Sequence, residues 1–117
     1  MRRLVIVDDH EGFRRAARAA LEDEGYTVVG EAGSGAEALA AVARLAPDVV
    51  LLDIQLPDMS GFQLAERIAA QDRRVLLISS RPAGEYRGRL AESTVAGFIA
   101  KHDLSRSEIE RLLSGNA

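Results

Sequence analysis

No cysteine occurs in this chain of 117 residues. Disulfides, thiolate metal centres and thiol nucleophiles are thereby excluded. Aromatic residues make up only 4%, so the core is expected to be aliphatic. No apolar run approaches membrane-spanning length, and the N-terminus carries no signal-peptide h-region followed by a cleavage site. The expectation is a cytoplasmic protein that does not enter a membrane. Excess basic charge is missing too: a net charge of -3 gives no electrostatic reason for direct nucleic-acid binding. The sequence shows no internal repeat, linker or low-complexity stretch.

What is present is the ordinary balance of a soluble globular protein, 47% hydrophobic and 28% charged. The length suffices for one domain over residues 1–117 and is too short for two. The most informative stretch is VVLLDIQLPDMSG, from Val49 to Gly61. Its continuous aliphatic run reads as a strand buried on both faces, the usual state of a central parallel strand. Asp53 falls where that strand leaves the sheet, the place where open α/β sheets bind ligands. Pro57 bars regular structure just beyond, and Gly61 suits the turn into the next helix.

The remaining elements repeat this pattern. Arg3–Val7 reads as a first strand ending in Asp8-Asp9. A helix follows from about Glu11 to Glu24, with Phe13, Ala17, Ala20 and Leu21 on one face and Arg14, Arg15 and Arg18 forming a solvated face, with a docking role as an added possibility. Gly25 sits at the C-cap position. Thr27–Glu31 is a second strand. Ser34 with Glu37 spells a capping box for a second helix, which stops before Pro47. Ser60 to Gln71 is a third helix and Val75–Ser79 a fourth strand. Arg81 to Thr94 carries Pro82, Gly84 and Gly88, so its helix is expected to be short. Ala96–Ala100 is a fifth strand ending at Lys101, and Ser105–Leu113 a last helix with Ser105 and Glu108 as a second capping box. Strand and helix alternate five times with short connections, which predicts a parallel sheet covered by helices on both faces.

The strand ends carry Asp8 and Asp9, Asp53, Ser79 and Ser80, and Lys101. In a doubly wound sheet these ends lie side by side along one rim. Two carboxylates about 4 Å apart repel by roughly 4 kcal/mol at an effective dielectric near 20. Three acids need cations: Lys101 supplies one charge, and a hard divalent ion with oxygen ligands, best Mg²⁺, supplies the rest. His10 beside the acidic pair reads as a loop or helix-start residue rather than a ligand, and Ser80 as structural. Mg²⁺ beside a carboxylate, a lysine and a hydroxyl suits phosphoryl chemistry, with an Asp as nucleophile forming an acyl phosphate.

VDDH at 7–10, LLDIQLPDMSG at 51–61, LISS at 77–80 and GFIAK at 97–101 together resemble the receiver domain of two-component response regulators. The likeness covers essentially the whole chain. It implies an α/β flavodoxin-like (βα)5 fold, a doubly wound parallel five-stranded sheet in the order 2-1-3-4-5. It implies phosphorylation of Asp53 by a histidine kinase or phosphotransfer protein. Asp9, Asp53 and the Gln55 backbone carbonyl would hold Mg²⁺, with Asp8 acting mainly through water. Ser79 and Lys101 would contact the phosphoryl group, and Phe98 would be the switch aromatic. The face made by the fourth helix, fifth strand and fifth helix would meet a second copy or an effector domain. Three places depart from the family's commonest pattern: His102 stands where proline often follows the lysine in a cis bond, Ser79 stands where threonine is frequent, and the segment between the fourth and fifth strands contains glycine and few helix formers, so a distorted fourth helix is expected.

The chain is therefore expected to be a signalling module with phosphotransfer and slow autodephosphorylation as its only chemistry. An aspartyl phosphatase of the haloacid-dehalogenase type needs Asp-x-Asp after the first strand, where this chain has Val-Asp-Asp-His. A flavodoxin-like FMN protein needs a Ser/Thr/Gly-rich phosphate loop there, and Asp8, Asp9 and Glu11 would repel that phosphate. A receiver that only binds partners is disfavoured by the intact acid set. Gln55 and Arg81 are expected to border the path of hydrolytic water, with Arg81, restricted by Pro82, shielding the phosphoryl group. SGNA at the C-terminus reads as a loose tail or the start of a linker.

Overall fold

The computed structural model describes residues 2–114. The elements run β1 (Arg3–Val7), α1 (Glu11–Asp23), β2 (Thr27–Ala32), α2 (Gly35–Leu45), β3 (Val49–Asp53), α3 (Gly61–Ala69), β4 (Arg74–Ser79), α4 (Arg87–Ala91), β5 (Gly97–Ala100) and α5 (Arg106–Ser114). Short 3-10 turns at Ala83–Tyr86 and Lys101–Asp103 precede α4 and α5. All pairings are parallel, in the order β2-β1-β3-β4-β5. Of the SGNA stretch, Ser114 closes α5, while 115–117 lie outside the described residues.

Alternation along the strands divides the core into two layers. Val5, Val7, Val50, Leu52, Val75 and Leu77 face α2 and α3, where they meet Ala38, Val42, Leu64, Ala65 and Ile68. Leu4, Ile6, Val49, Leu51, Leu76 and Ile78 face α1 and α5, where they meet Ala17, Leu21, Ile109 and Leu113. Every residue of β3 is buried. Each fully buried Leu or Ile contributes about 1.5–3 kcal/mol relative to exposure, so β1, β3 and β4 form the rigid middle. The far edge is looser: only Ile99 of β5 is buried, and α4 has no buried residue.

Local chemistry sets the ends. Gly25 takes φ +102°, the left-handed conformation expected after α1. The expected capping boxes are half-formed. Ser34 Oγ accepts the Glu37 N–H, but the Glu37 carboxylate accepts from Gly33 N–H. Ser105 Oγ accepts the Glu108 N–H, but Glu108 turns to Arg111. The reciprocal box is at Ser60–Gln63, opening α3. The segment after β4 is broken into a 3-10 turn and a five-residue α4, as its Pro and Gly content implies. Among the described residues no peptide bond is cis.

Of the α1 arginines, Arg15 is solvated and paired with exposed Glu11. Arg14 folds back onto Glu31 of β2 at 3.2 Å with its side chain 19% exposed. Arg18 also reaches Glu31, at 2.9 Å, but pairs with Glu22 of its own helix and stays 39% exposed.

Candidate functional site

The C-terminal ends of β1, β3, β4 and β5 meet at one rim, and the acids lie there. Asp8 follows β1 and is fully buried. Its backbone is held on both sides: its N–H donates to Ala32 carbonyl at 3.0 Å, and Arg14 Nη1 donates to its carbonyl at 2.5 Å. Asp8 Oδ1 accepts the His10 N–H at 2.8 Å, and Oδ2 lies 2.6 Å from Lys101 Nζ. That second contact is a charge pairing without the angle of a directed hydrogen bond, so Asp8 Oδ2 keeps acceptor capacity while fully buried. Asp9 is exposed and sits at the mouth.

Asp53 ends β3 with 6% of its surface exposed. Its Oδ1 accepts the Gln55 N–H at 3.3 Å, and its Oδ2 lies 3.6 Å from Lys101 Nζ. Burial pushes the Asp53 carboxyl above its ordinary value, and the charge of Asp8 adds to the rise. Lys101 and the Gln55 N–H oppose it. A carboxylate held close to both an acid and an ammonium is the arrangement the strand-end reading anticipates.

Oxygens of Asp8, Asp9 and Asp53 and a nitrogen of His10 can all lie within 4.8 Å of one another. His10 Nδ1 stands 3.1 Å from Asp8 Oδ1 and 3.1 Å from Asp9 Oδ1. A ring nitrogen so placed donates to carboxylates instead of offering them a lone pair. His10 is largely exposed and caps nothing with its side chain. The donor set that remains is three carboxylates, one with an unspent buried oxygen, and this fits a hard oxygen-loving cation. A cavity of about 650 Å³ opens at the opposite end of the sheet, lined by Arg2, Asp48, Arg73 and Arg74 among others. Its distance from the acids separates it from this chemistry.

The loop after β3 is braced at three points. Gly61 N–H donates to Ile54 carbonyl at 2.6 Å, Gln55 and Ser60 form an isolated bridge, and Asp58 accepts from the N–H groups of Gly35 and Ala36 at 2.7 and 3.0 Å. Those two bonds hold the Asp58 carboxyl below its ordinary value. A Cβ on Gly61 would stand 2.5 Å from Asp53 carbonyl oxygen, so only glycine allows α3 to start this close behind the acid.

Ser79 is buried at the end of β4, and its Oγ accepts the Arg81 N–H at 3.0 Å. The Arg81 side chain is turned to Glu85 at 3.3 Å on the surface, away from the acids. Ser80 is exposed. Phe98 is half-buried, with its ring 6.4 Å from that of Tyr86, which in turn lies 6.1 Å from Phe62. Tyr86 is buried, and its hydroxyl has no hydrogen-bond partner among the described residues. Lys101 Nζ lies 4.5 Å from the centre of the Phe13 ring.

Sequence reasoning brought Asp8, Asp9, Asp53 and Lys101 to one rim, and the structure places them there. It gave no site role to Asp58 or Tyr86, placed Phe13 on the apolar face of α1, and read Arg14 as part of a solvated face. One readable signal was available: fifteen residues are Lys or Arg, and Lys101 is the only lysine among them. The chain uses arginine for every other cation and a compact ammonium at this strand end.

Residues 4–113 match the family model described as response regulator receiver domain. The NarL transcriptional regulatory protein of Mycobacterium tuberculosis is 40% identical over 110 residues, 92% of this chain and 50% of that protein. The DNA-binding transcriptional activator DevR/DosR of the same organism is 37% identical over 114 residues, 95% of this chain and 52% of that protein. The chain thus spans about half the length of the curated relatives it matches. Among solved structures, the signal receiver domain of the M. tuberculosis NarL response regulator superposes with a TM-score of 0.80 at 37% identity, covering 96% of this chain and 92% of that one. A CheY-like receiver domain protein from Methanospirillum hungatei gives 0.82 at 26% identity, covering 97% and 91%.

Proposed function

The chain belongs to the response-regulator receiver family, and from that premise we propose that it is phosphorylated on Asp53 and switches a protein-binding surface. The phosphoryl donor is a phosphohistidine on a histidine kinase or phosphotransfer protein. Asp53 Oδ attacks phosphorus, the P–N bond breaks, and the imidazole keeps the electron pair. The observation that carries this reading is the pairing of Asp53 with Lys101 at a buried strand end, Oδ2 to Nζ 3.6 Å.

Each neighbour has a role suited to its chemistry. Lys101 gives an ammonium to the phosphoryl oxygens, and Ser79 Oγ exchanges its acceptor bond from the Arg81 N–H for a donor bond to one of them. Asp8, Asp9, Asp53 and the Gln55 carbonyl would hold Mg²⁺, with Asp8 acting mainly through water, and the ion would supply charge neutralisation at the transferring group. Loss of the Ser79–Arg81 turn lets Phe98 turn inward and alters the face of α4, β5 and α5. That face meets a second copy or an effector domain. The curated relatives are transcriptional regulators of about twice this length, so the output of the full protein is proposed to be gene control by a separate domain.

Incubation with acetyl phosphate and Mg²⁺, read by intact mass, tests the reading. One phosphoryl mass is expected on the parent and none on Asp53→Asn or in chelator. An unmodified parent, with no beryllofluoride binding by ¹⁹F NMR, would leave a receiver that works by partner binding alone.

A further inference from the structure

Lys101 is harder to hold in place than the acids around it. Asp53 ends β3 and Asp8 directly follows β1, both strands inside the sheet, and their carboxylates accept backbone N–H groups. Lys101 follows β5, the edge strand, and opens a 3-10 turn with no side-chain cap. Its charge sits at the end of a four-carbon stem, and such stems tend to carry the ammonium out to water. Yet its side chain is only 16% exposed. The aromatic that lies over it is Phe13, in the first turn of α1, with the ring centre 4.5 Å from Nζ. This is inside the range of a cation–π contact.

The surroundings fit a wall more than a filler. Phe13, Ala16, Ala17 and Leu104 line a small apolar recess of about 190 Å³ against the Lys101 stem. The ammonium therefore has carboxylates on its inner side and an aromatic face and apolar recess on its outer side. The ammonium lies 2.6 Å from Asp8 Oδ2 and 3.6 Å from Asp53 Oδ2, and on the proposed reading it moves toward Asp53 when a phosphoryl group arrives there. The ring is neutral, so its attraction holds whichever anion the ammonium faces.

We propose that Phe13 is a positioning residue for phosphoryl transfer, acting through Lys101: its ring face keeps the ammonium at the acid rim. This rests on the reading of Asp53 as phosphoacceptor.

The test compares Phe13→Leu, which keeps apolar volume but removes the ring, with Phe13→Tyr, which keeps the ring. Rates of modification by acetyl phosphate at saturating Mg²⁺ are followed by intact mass. Phe13→Leu is expected to be slower by about 2- to 30-fold, the span of a cation–π contact. Phe13→Tyr should recover most of the rate. In a Lys101→Met background, Phe13→Leu should change nothing further, because the partner is gone. Full rate in Phe13→Leu, or the same loss with and without Lys101, overturns the inference. A separate readout concerns the contact alone. As Lys101 is the only lysine, its ε-methylene gives one lysine resonance. Ring current shifts it upfield in the parent, and Phe13→Leu should abolish that shift without phosphoryl donor present. An unshifted parent resonance also overturns the inference. If the shift is present and lost as expected but the parent accepts no phosphoryl group, the failure lies with the Asp53 reading and takes the role in transfer with it.

Discussion

Gly61→Ala should be among the most damaging one-methyl changes in this molecule. An added Cβ would stand 2.5 Å from Asp53 carbonyl oxygen and 2.7 Å from Ile54 Cα, where ordinary contact begins near 3.4 Å. Both neighbours are backbone, so no side chain can step aside. Either the end of β3 or the first turn of α3 must move. The Gly61 N–H to Ile54 carbonyl bond, 2.6 Å, spans the same gap and lengthens as it opens. Overpacking of this kind costs about 1–3 kcal/mol, and weakening the backbone bond adds roughly 1 kcal/mol. The sum, about 2–4 kcal/mol, is a large share of the roughly 5–15 kcal/mol that holds a domain folded. Gly12→Ala is the control: it lies in α1 with nothing within 4 Å of its Cβ, and should gain up to about 0.5–1 kcal/mol. Urea titration of both variants measures the difference. The Gly61→Ala midpoint should fall with unchanged slope, and its acetyl phosphate reaction should slow because Asp53 sits on the displaced strand end. Equal midpoints for the two variants would refute the close-approach reasoning.

Lys101→Met should cost about 3–5 kcal/mol in chelator, since it leaves buried Asp8 without its partner; Mg²⁺ should restore part of it by mass action, and metal-independent melting would count against the cation site. The pH response of Asp53 has a definite sign. Its pKa is raised in the folded state by burial first and then by Asp8, so its contribution to stability is present at low pH and lost as pH rises through the raised value. Asp53→Asn should therefore melt higher than the parent at neutral pH in chelator, with the gain shrinking as pH falls below the ordinary carboxylate range. The Arg81 guanidinium pairs with Glu85 on the surface, and such pairs are weak, so it is free to swing over a phosphorylated Asp53. Arg81→Ala should shorten the life of the phosphoryl state and Glu85→Gln should lengthen it; an Arg81→Ala state as long-lived as the parent removes the shielding role.

The strands were legible because burial leaves a strong trace, and their order was implied by the family resemblance. VVLLD and RVLLIS are apolar runs that water would not tolerate, and each ends at a polar residue that marks the rim. The polar residues at the rim were legible for the same reason, following such runs at four places, acids at two of them. Other features were less so. Phe13 shows the spacing of a core residue, and nothing in a helical period tells that its ring meets an ammonium 88 residues later. Asp58 is, by sequence, only an acid after Pro57, yet it caps α2 across the gap between two loops. Arg14 and Arg18 had the spacing of a solvated face, but their partner Glu31 lies on another element. Local pattern carries periodicity and breakers; pairing across elements depends on the fold, and single charges carry no mark of their partner.

The distribution of burial bears on where a switch can operate. Segments that move must have low local stability, with few buried contacts of their own. β3 is buried throughout, and the loop after it is braced by Gly61, Ser60 and Asp58, so little motion can begin at Asp53 itself. At the far edge β5 has one buried residue, α4 has none, and the segment joining Ser79 to α4 is a 3-10 turn. Tyr86 is buried there against the rings of Phe62 and Phe98. If Asp53 is phosphorylated as proposed, release of Ser79 Oγ from the Arg81 N–H acts on this edge, where few buried contacts oppose a change of packing. On the proposed reading, a rigid acceptor and a poorly anchored edge are two halves of one device, and Ser79 is the bond between them.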